Sequence, residues 1–169
     1  YVVGNRQGVF YKDSCKDYEP LKALMRRYPT AIMVVDQGGD LIGSRQMREL
    51  FPGRVFLCHY LKDRKTLQLI TLGVNEETGN VRVDRNRMMT LVVEQLRDVG
   101  RVRLNGTRDE WAEWASHFGY IYREKIMVKE MRGKDNRELY GAEYVWKRNG
   151  PDHYCHALLL NSKFRLTLP

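Results

Sequence analysis

Thr30-Ala31-Ile32-Met33-Val34-Val35-Asp36-Gln37-Gly38-Gly39 is the stretch on which the reading of the fold turns. Residues 30–35 form a continuous apolar run, β-branched at Thr30, Ile32, Val34 and Val35. That composition predicts a strand buried on both faces, as in a parallel sheet. The run ends in a carboxylate. Ligands of open α/β sheets bind at the carboxyl ends of the strands. Gly38 and Gly39 let a ligand or another backbone segment come close. Asp36 therefore reads as a ligand-facing acid or as an aspartate that shapes the turn or caps the next helix.

The flanking segments extend the pattern. Residues 1–3 and 9–11 predict a hairpin about Arg6-Gln7-Gly8. Asp17 can cap a helix to about Tyr28, with Leu21, Leu24 and Met25 at helical spacing, and Pro29 stops it. A helix over 43–50, broken by Pro52-Gly53, leads into a strand over 54–60 (RVFLCHY). The order ββαβαβ predicts a mixed α/β sheet. Residues 67–72 and 81–83 predict a hairpin turning at 77–80. Asp84 or Asn86 then caps an amphipathic helix to about Val99, ended by Gly100. A short strand at 102–104 and a helix opened by Thr107 follow. Trp111, Trp114 and Phe118 have helical spacing and read as core. Residues 123–140 read as a charge-rich loop of ragged structure, and 142–146 as a last strand. Pro151 suits the first position of a helix over 152–160. No repeat or low-complexity linker divides the 169 residues, which predicts one domain.

Composition narrows the function. Lys and Arg number 29 against 21 Asp and Glu, a net charge of +8. Such an excess suits a polyanion, most simply nucleic acid; a merely basic surface is the bland alternative. No apolar run approaches the roughly 18 residues of a membrane span. The cysteines, Cys15, Cys58 and Cys155, lack framework or zinc spacing and predict free thiols. No phosphate-binding P-loop and no serine nucleophile elbow is present.

Asp152 is the second acid of interest. It starts the last helix, where the dipole favours a carboxylate, so it reads as a cap or as a ligand. His156 lies one turn further on the same face; the pair has metal-ligand spacing, while a lone helical histidine is more often structural. Hard carboxylates from a strand end and a helix start are what divalent ions on phosphate chemistry use. Asp40 reads as an accessory ligand or as an N-cap. Basic residues cluster at Lys62, Arg64 and Lys65, at Arg82, Arg85 and Arg87, and at Lys147 and Arg148. They read as phosphate contacts or as a solvated charged face. His59 and His117 read as structural.

Three motifs in order carry a family resemblance: Ile32-Met33-Val34-Val35-Asp36-Gln37-Gly38-Gly39; Val83-Asp84-Arg85-Asn86-Arg87 before a helix; and Arg148-Asn149-Gly150-Pro151-Asp152-His153 before Ala157-Leu158-Leu159. Over about residues 1–165 the chain resembles the C-terminal nuclease domain of the large terminase subunit of tailed bacteriophages. The resemblance implies an α/β, RNase H-like fold: a mixed sheet flanked by helices, with an auxiliary β-hairpin near the DNA, matched to residues 67–83. It implies an endonuclease that binds two Mg2+ or Mn2+ ions and cuts concatemeric double-stranded DNA. Asp36 resembles the second acid of that family and Asp152 the third. His153 stands where another Asp is frequent. The first acid would lie on a strand upstream of Tyr1, and an ATPase domain of the same polypeptide further upstream, so 1–169 is expected to lack both and to cut weakly or not at all alone. The implied partners are double-stranded DNA, the portal protein and the small terminase subunit, in the host cytoplasm and away from membrane. Two alternatives stand beside this: a catalytically silent DNA-binding or docking module of the motor, and a resolvase-like nuclease of branched DNA.

Overall fold

The computed structural model describes residues 1–5, 8–61, 72–75, 77–98, 102–131 and 138–167. Its elements run β1 (Val2–Asn5), β2 (Gly8–Lys12), α1 (Glu19–Arg27), β3 (Met33–Asp36), α2 (Leu41–Leu50) and β4 (Val55–Tyr60). Next come β5 (Leu72–Asn75), β6 (Asn80–Val83), α3 (Arg85–Arg97) and β7 (Arg103–Leu104). A 3-10 turn (Asp109–Trp111), α4 (Ala112–Gly119), β8 (Ile121–Met131), β9 (Glu138–Arg148) and α5 (His153–Thr167) complete it. The class is mixed α/β, as the sequence predicts.

The four-stranded sheet has the order β3-β4-β6-β5. Strands β3, β4 and β6 are parallel, and β5 is antiparallel to β6. Alternation of side chains sorts the core into two layers. Val34, Phe56, Cys58, Val81 and Val83 pack with Met88, Met89 and Val92 of α3 and with Tyr154, Cys155, Leu158 and Leu159 of α5. Met33, Val35, Val55 and Leu57 pack on the other side with Met25 of α1 and Met47 of α2. Helices thus cover both faces, as parallel strands require. A second sheet, β1-β2-β7, adds Val2 and Val9 to the first layer. α5 packs against both β1 and β3.

Several expectations need correction. The run at 30–35 yields a strand only from Met33, and β3 is half-buried along its whole length. Its one strand partner among the described residues is β4, so it is an edge strand, and β4 holds the fully buried place instead. α2 starts at Leu41, because Asp40 caps it. Part of the expected strand over 67–72 falls on residues 62–71, outside the described ones. The described hairpin is β5–β6, closed where the Thr78 N–H donates to Asn75 Oδ1 and Gly79 takes a φ of 63°. It is continuous with the main sheet through β6–β4 pairing. The expected loop over 123–140 is largely strand. β8 and β9 form an antiparallel two-stranded ribbon of their own, 11 residues to a strand.

Arg54 closes the end of α1, a role without a sequence signal. Its guanidinium donates to the carbonyls of Ala31 (3.1 Å), Met25 (2.7 Å) and Tyr28 (2.7 Å) and lies over the Phe51 ring. Charged donors to orphan helix carbonyls contribute more than neutral ones. Arg54→Met is expected to lower stability by about 2 kcal/mol in urea unfolding. No change would show that water replaces all three bonds.

Candidate functional site

The carboxyl ends of the three parallel strands lie at one edge of the sheet. Asp36 ends β3, Tyr60 ends β4, and Asp84 follows β6. By register Asp36 pairs with Cys58, so Asp36 and Tyr60 point to the same face, the one that α3 and α5 cover. α5 begins at this edge, and Asp152 immediately precedes it. The strand-end acid Asp36 and the helix-start acid Asp152 both act electrostatically on Tyr60 and His156 at this edge.

Asp152 is 1% exposed and fully engaged. Arg148 Nη1 donates to Oδ1 at 2.7 Å, and Arg85 Nη2 to Oδ2 at 3.4 Å. His156 Nε2 lies 3.1 Å from Oδ2. Burial works against the charge, but the Arg148 hydrogen bond and the His156 ring outweigh it and hold the carboxyl below its ordinary value. The imidazole continues into Tyr60, whose hydroxyl is 2.7 Å from His156 Nδ1. Burial pushes the Tyr60 phenol well up, and Asp36 and Asp152 add to the effect. Burial also lowers His156, against the opposing pull of Asp152. Hence Tyr60 keeps its proton and donates to Nδ1, and a neutral His156 donates from Nε2 to Asp152. Asp36 bears electrostatically on both Tyr60 and His156. It is half-buried, and its Oδ1 accepts from the Gly38 N–H at 2.9 Å.

The other sequence candidates divide. Asp40 is the N-cap of α2, accepting from the Gly43 N–H at 3.0 Å. His153 is exposed, and its ring lies tilted against that of His117 with centroids 6.1 Å apart. The histidine one turn on, His156, is the one whose ring bonds to Asp152. Arg85 and Arg148 reach the site, whereas Arg87 pairs with Asp84 and Lys147 with Glu124. Arg82 lies on the opposite face of β6 from the buried Val81 and Val83. Arg64 and Lys65 lie outside the described residues. Tyr60 carried no sequence signal. The i, i+4 spacing of Asp152 and His156 did carry one.

Divalent-ion chemistry fits this edge in type but not in number. Asp36 and Asp152 supply hard oxygens, yet Asp152 is already paired with two arginines. Among the described residues no three His, Cys, Asp or Glu side chains lie together as an ion site needs. Cys58 and Cys155 are buried, and burial pushes each thiol up to about 12, so neither is a nucleophile near neutral pH.

Stability should depend on pH through His156 and His117. Burial lowers both below the ordinary histidine value of 6.5, and at His117 the nearby His153 adds to it. Unfolded histidines take protons as pH falls through about 6.5, while the folded ones resist until lower pH. Stability is therefore full above that value and lost as pH falls through the lowered folded ones. The thermal midpoint should drop between pH 7 and 5, and less so in His156→Asn. An equal drop in that variant would remove His156 from the explanation.

The fold and the edge define an α/β protein with an acid–arginine–histidine cluster at the carboxyl ends of its parallel strands. The chain matches no protein-family model, no curated protein and no solved structure. Among the described residues no helix is long and apolar enough to cross a membrane.

Proposed function

We propose that this chain is the nuclease part of a viral DNA-packaging motor: an RNase H-like, Mg2+- or Mn2+-dependent endonuclease acting on double-stranded DNA. One observation supports the reading: Asp36 at a strand end and Asp152 at a helix start both act electrostatically on Tyr60 and His156, and Asp152 is hydrogen-bonded to His156. The motor setting, with portal protein, small subunit and ATPase domain as partners in the host cytoplasm, rests on the family resemblance of the three sequence motifs.

Bound divalent ions would supply water activation and charge neutralisation. Asp36 and Asp152 would hold them, together with the first acid that the family resemblance implies. The chain's own part is to bind and orient. Arg148, more than half exposed at its side chain, can turn from Asp152 to a DNA phosphate. Arg85 stays to balance the carboxylate. His156 holds its proton at Nε2 and fixes the orientation of Asp152, with Tyr60 fixing the ring in turn. Phosphate contacts position the duplex without reading sequence.

The engagement of Asp152 by two arginines favours a second reading, a DNA-binding module that does not cut. Incubation of the full chain with supercoiled plasmid and Mn2+ separates the two. Nicking that EDTA abolishes supports the nuclease, and duplex binding that Mn2+ leaves unchanged, without nicking, supports the module.

A further inference from the structure

The β8–β9 ribbon is chemically two-sided. Directly paired residues share a face: Ile121 with Arg148, Arg123 with Trp146, Lys125 with Tyr144, Met127 with Ala142. The intervening pairs point the other way: Tyr122 with Lys147, Glu124 with Val145, Ile126 with Glu143. From 121 to 127 and 142 to 148, the first face carries three cations and no acid. The second carries two acids and one cation, and Lys147 there bonds to Glu124 at 3.2 Å.

The cationic face is also organised. The Arg123 guanidinium lies over the ring of Tyr144 at 4.9 Å and that of Trp146 at 5.9 Å. Trp146 is buried and anchors the ribbon to α3, donating from Nε1 to Thr90 Oγ1 at 2.9 Å. Its backbone N–H donates to Asn86 Oδ1 at 3.0 Å. The face therefore looks to the side of α3, whose first residue, Arg85, reaches Asp152. At the ribbon's base Arg148 reaches the same carboxylate. Beyond Trp146, Lys125, Tyr144 and Met127 are exposed. A merely solvated ribbon has no reason to sort its charges by face. Sorting of this kind, with aromatic rings between the cations, complements an extended polyanion.

We propose that the face bearing Arg123, Lys125 and Arg148 holds the phosphate backbone of duplex DNA and leads it to the Asp152 edge, while the Lys147 face stays off the nucleic acid. The choice of duplex DNA rests on the nuclease reading; the sidedness rests on the ribbon alone. Arg123 and Lys125, two residues apart on one strand, lie about 7 Å apart along the ribbon and can serve separate phosphates.

The full chain would be titrated with a fluorescent duplex of about 20 base pairs in EDTA, over a series of salt concentrations. Each lost phosphate contact removes about one from the slope of log affinity against log salt. R123Q/K125Q is expected to bind more weakly and to lower that slope by about two. K147Q, equal in kind but on the other face, should leave affinity and slope unchanged. Matched circular dichroism spectra and melting curves check that each variant folds. An equal loss in K147Q, an unaltered slope in R123Q/K125Q, or binding confined to single strands would overturn the proposal. Cleavage plays no part in the readout. Sided duplex binding without nicking would leave this inference standing and remove only the nuclease reading.

Discussion

Asp152→Asn is expected to cost the fold about 2–3 kcal/mol and to abolish metal-dependent plasmid nicking. Removing one partner of a buried ion pair strands the other charge, typically at about 3–5 kcal/mol. Here the arginine side chains are 33% (Arg85) and 57% (Arg148) exposed. Each can reach water, which pulls the cost below that range. Asparagine keeps the shape and one acceptor oxygen, so the loss reports charge rather than a cavity. Urea unfolding should show an earlier midpoint at an unchanged slope. The effect of Asp152→Asn should shrink in an Arg148→Gln background, because the two changes remove one shared interaction. Full additivity would mean the 2.7 Å contact contributes nothing. The carboxyl is held below its ordinary value of 3.8. Its stabilising contribution is therefore complete above that value and disappears as pH falls through the lowered one. The acid limb of the stability curve should flatten in the variant.

The sequence made the alternation of elements legible up to β4, because period-3.6 stripes and β-branched runs are local signals. It misjudged which strand is central. Residues 30–35 and 55–58 are equally apolar, and only the order of strands in space leaves β3 at an edge. The β8–β9 ribbon was hidden for a related reason. Arg123, Glu124, Lys125 and Glu143 give its strands no apolar alternation, since cross-strand pairing rather than a core holds much of it. At the site, Asp36 and Asp152 were legible as the ends of patterned segments, and the spacing of Asp152 and His156 as one face of a helical turn. Tyr60 and the pairing of Arg85 with Asp152 were not, because they arise from contacts 96 and 67 residues away in the chain. His153 drew attention as the neighbour of Asp152, but adjacent residues at a helix start point in different directions.

Asp36→Asn is the cleaner test of function, because chemistry and stability separate there. The Asp36 side chain is half-buried, and its described hydrogen bond is the local one to the Gly38 N–H. Asparagine makes the same turn bond through its carbonyl oxygen. Stability should therefore stay within about 0.5 kcal/mol of the parent, the usual range for a change that breaks no buried contact. The negative charge is lost all the same. A group that stabilises charge at a reacting centre is generally associated with about 100-fold or more in rate. Nicking by the full polypeptide in Mn2+ should fall by at least that factor, while duplex binding in EDTA holds or strengthens slightly as one repelling carboxylate disappears. Gly38 makes the alternative Asp36→Ala less clean, since alanine forfeits the turn bond as well. If Asp36→Asn nicks at the parental rate, Asp36 is a turn residue and the edge is not a nuclease centre. If nicking is lost with a large fall in stability, the acid supports the fold through contacts beyond its turn. Only loss of nicking at unchanged stability and retained binding places Asp36 among the groups that act on DNA.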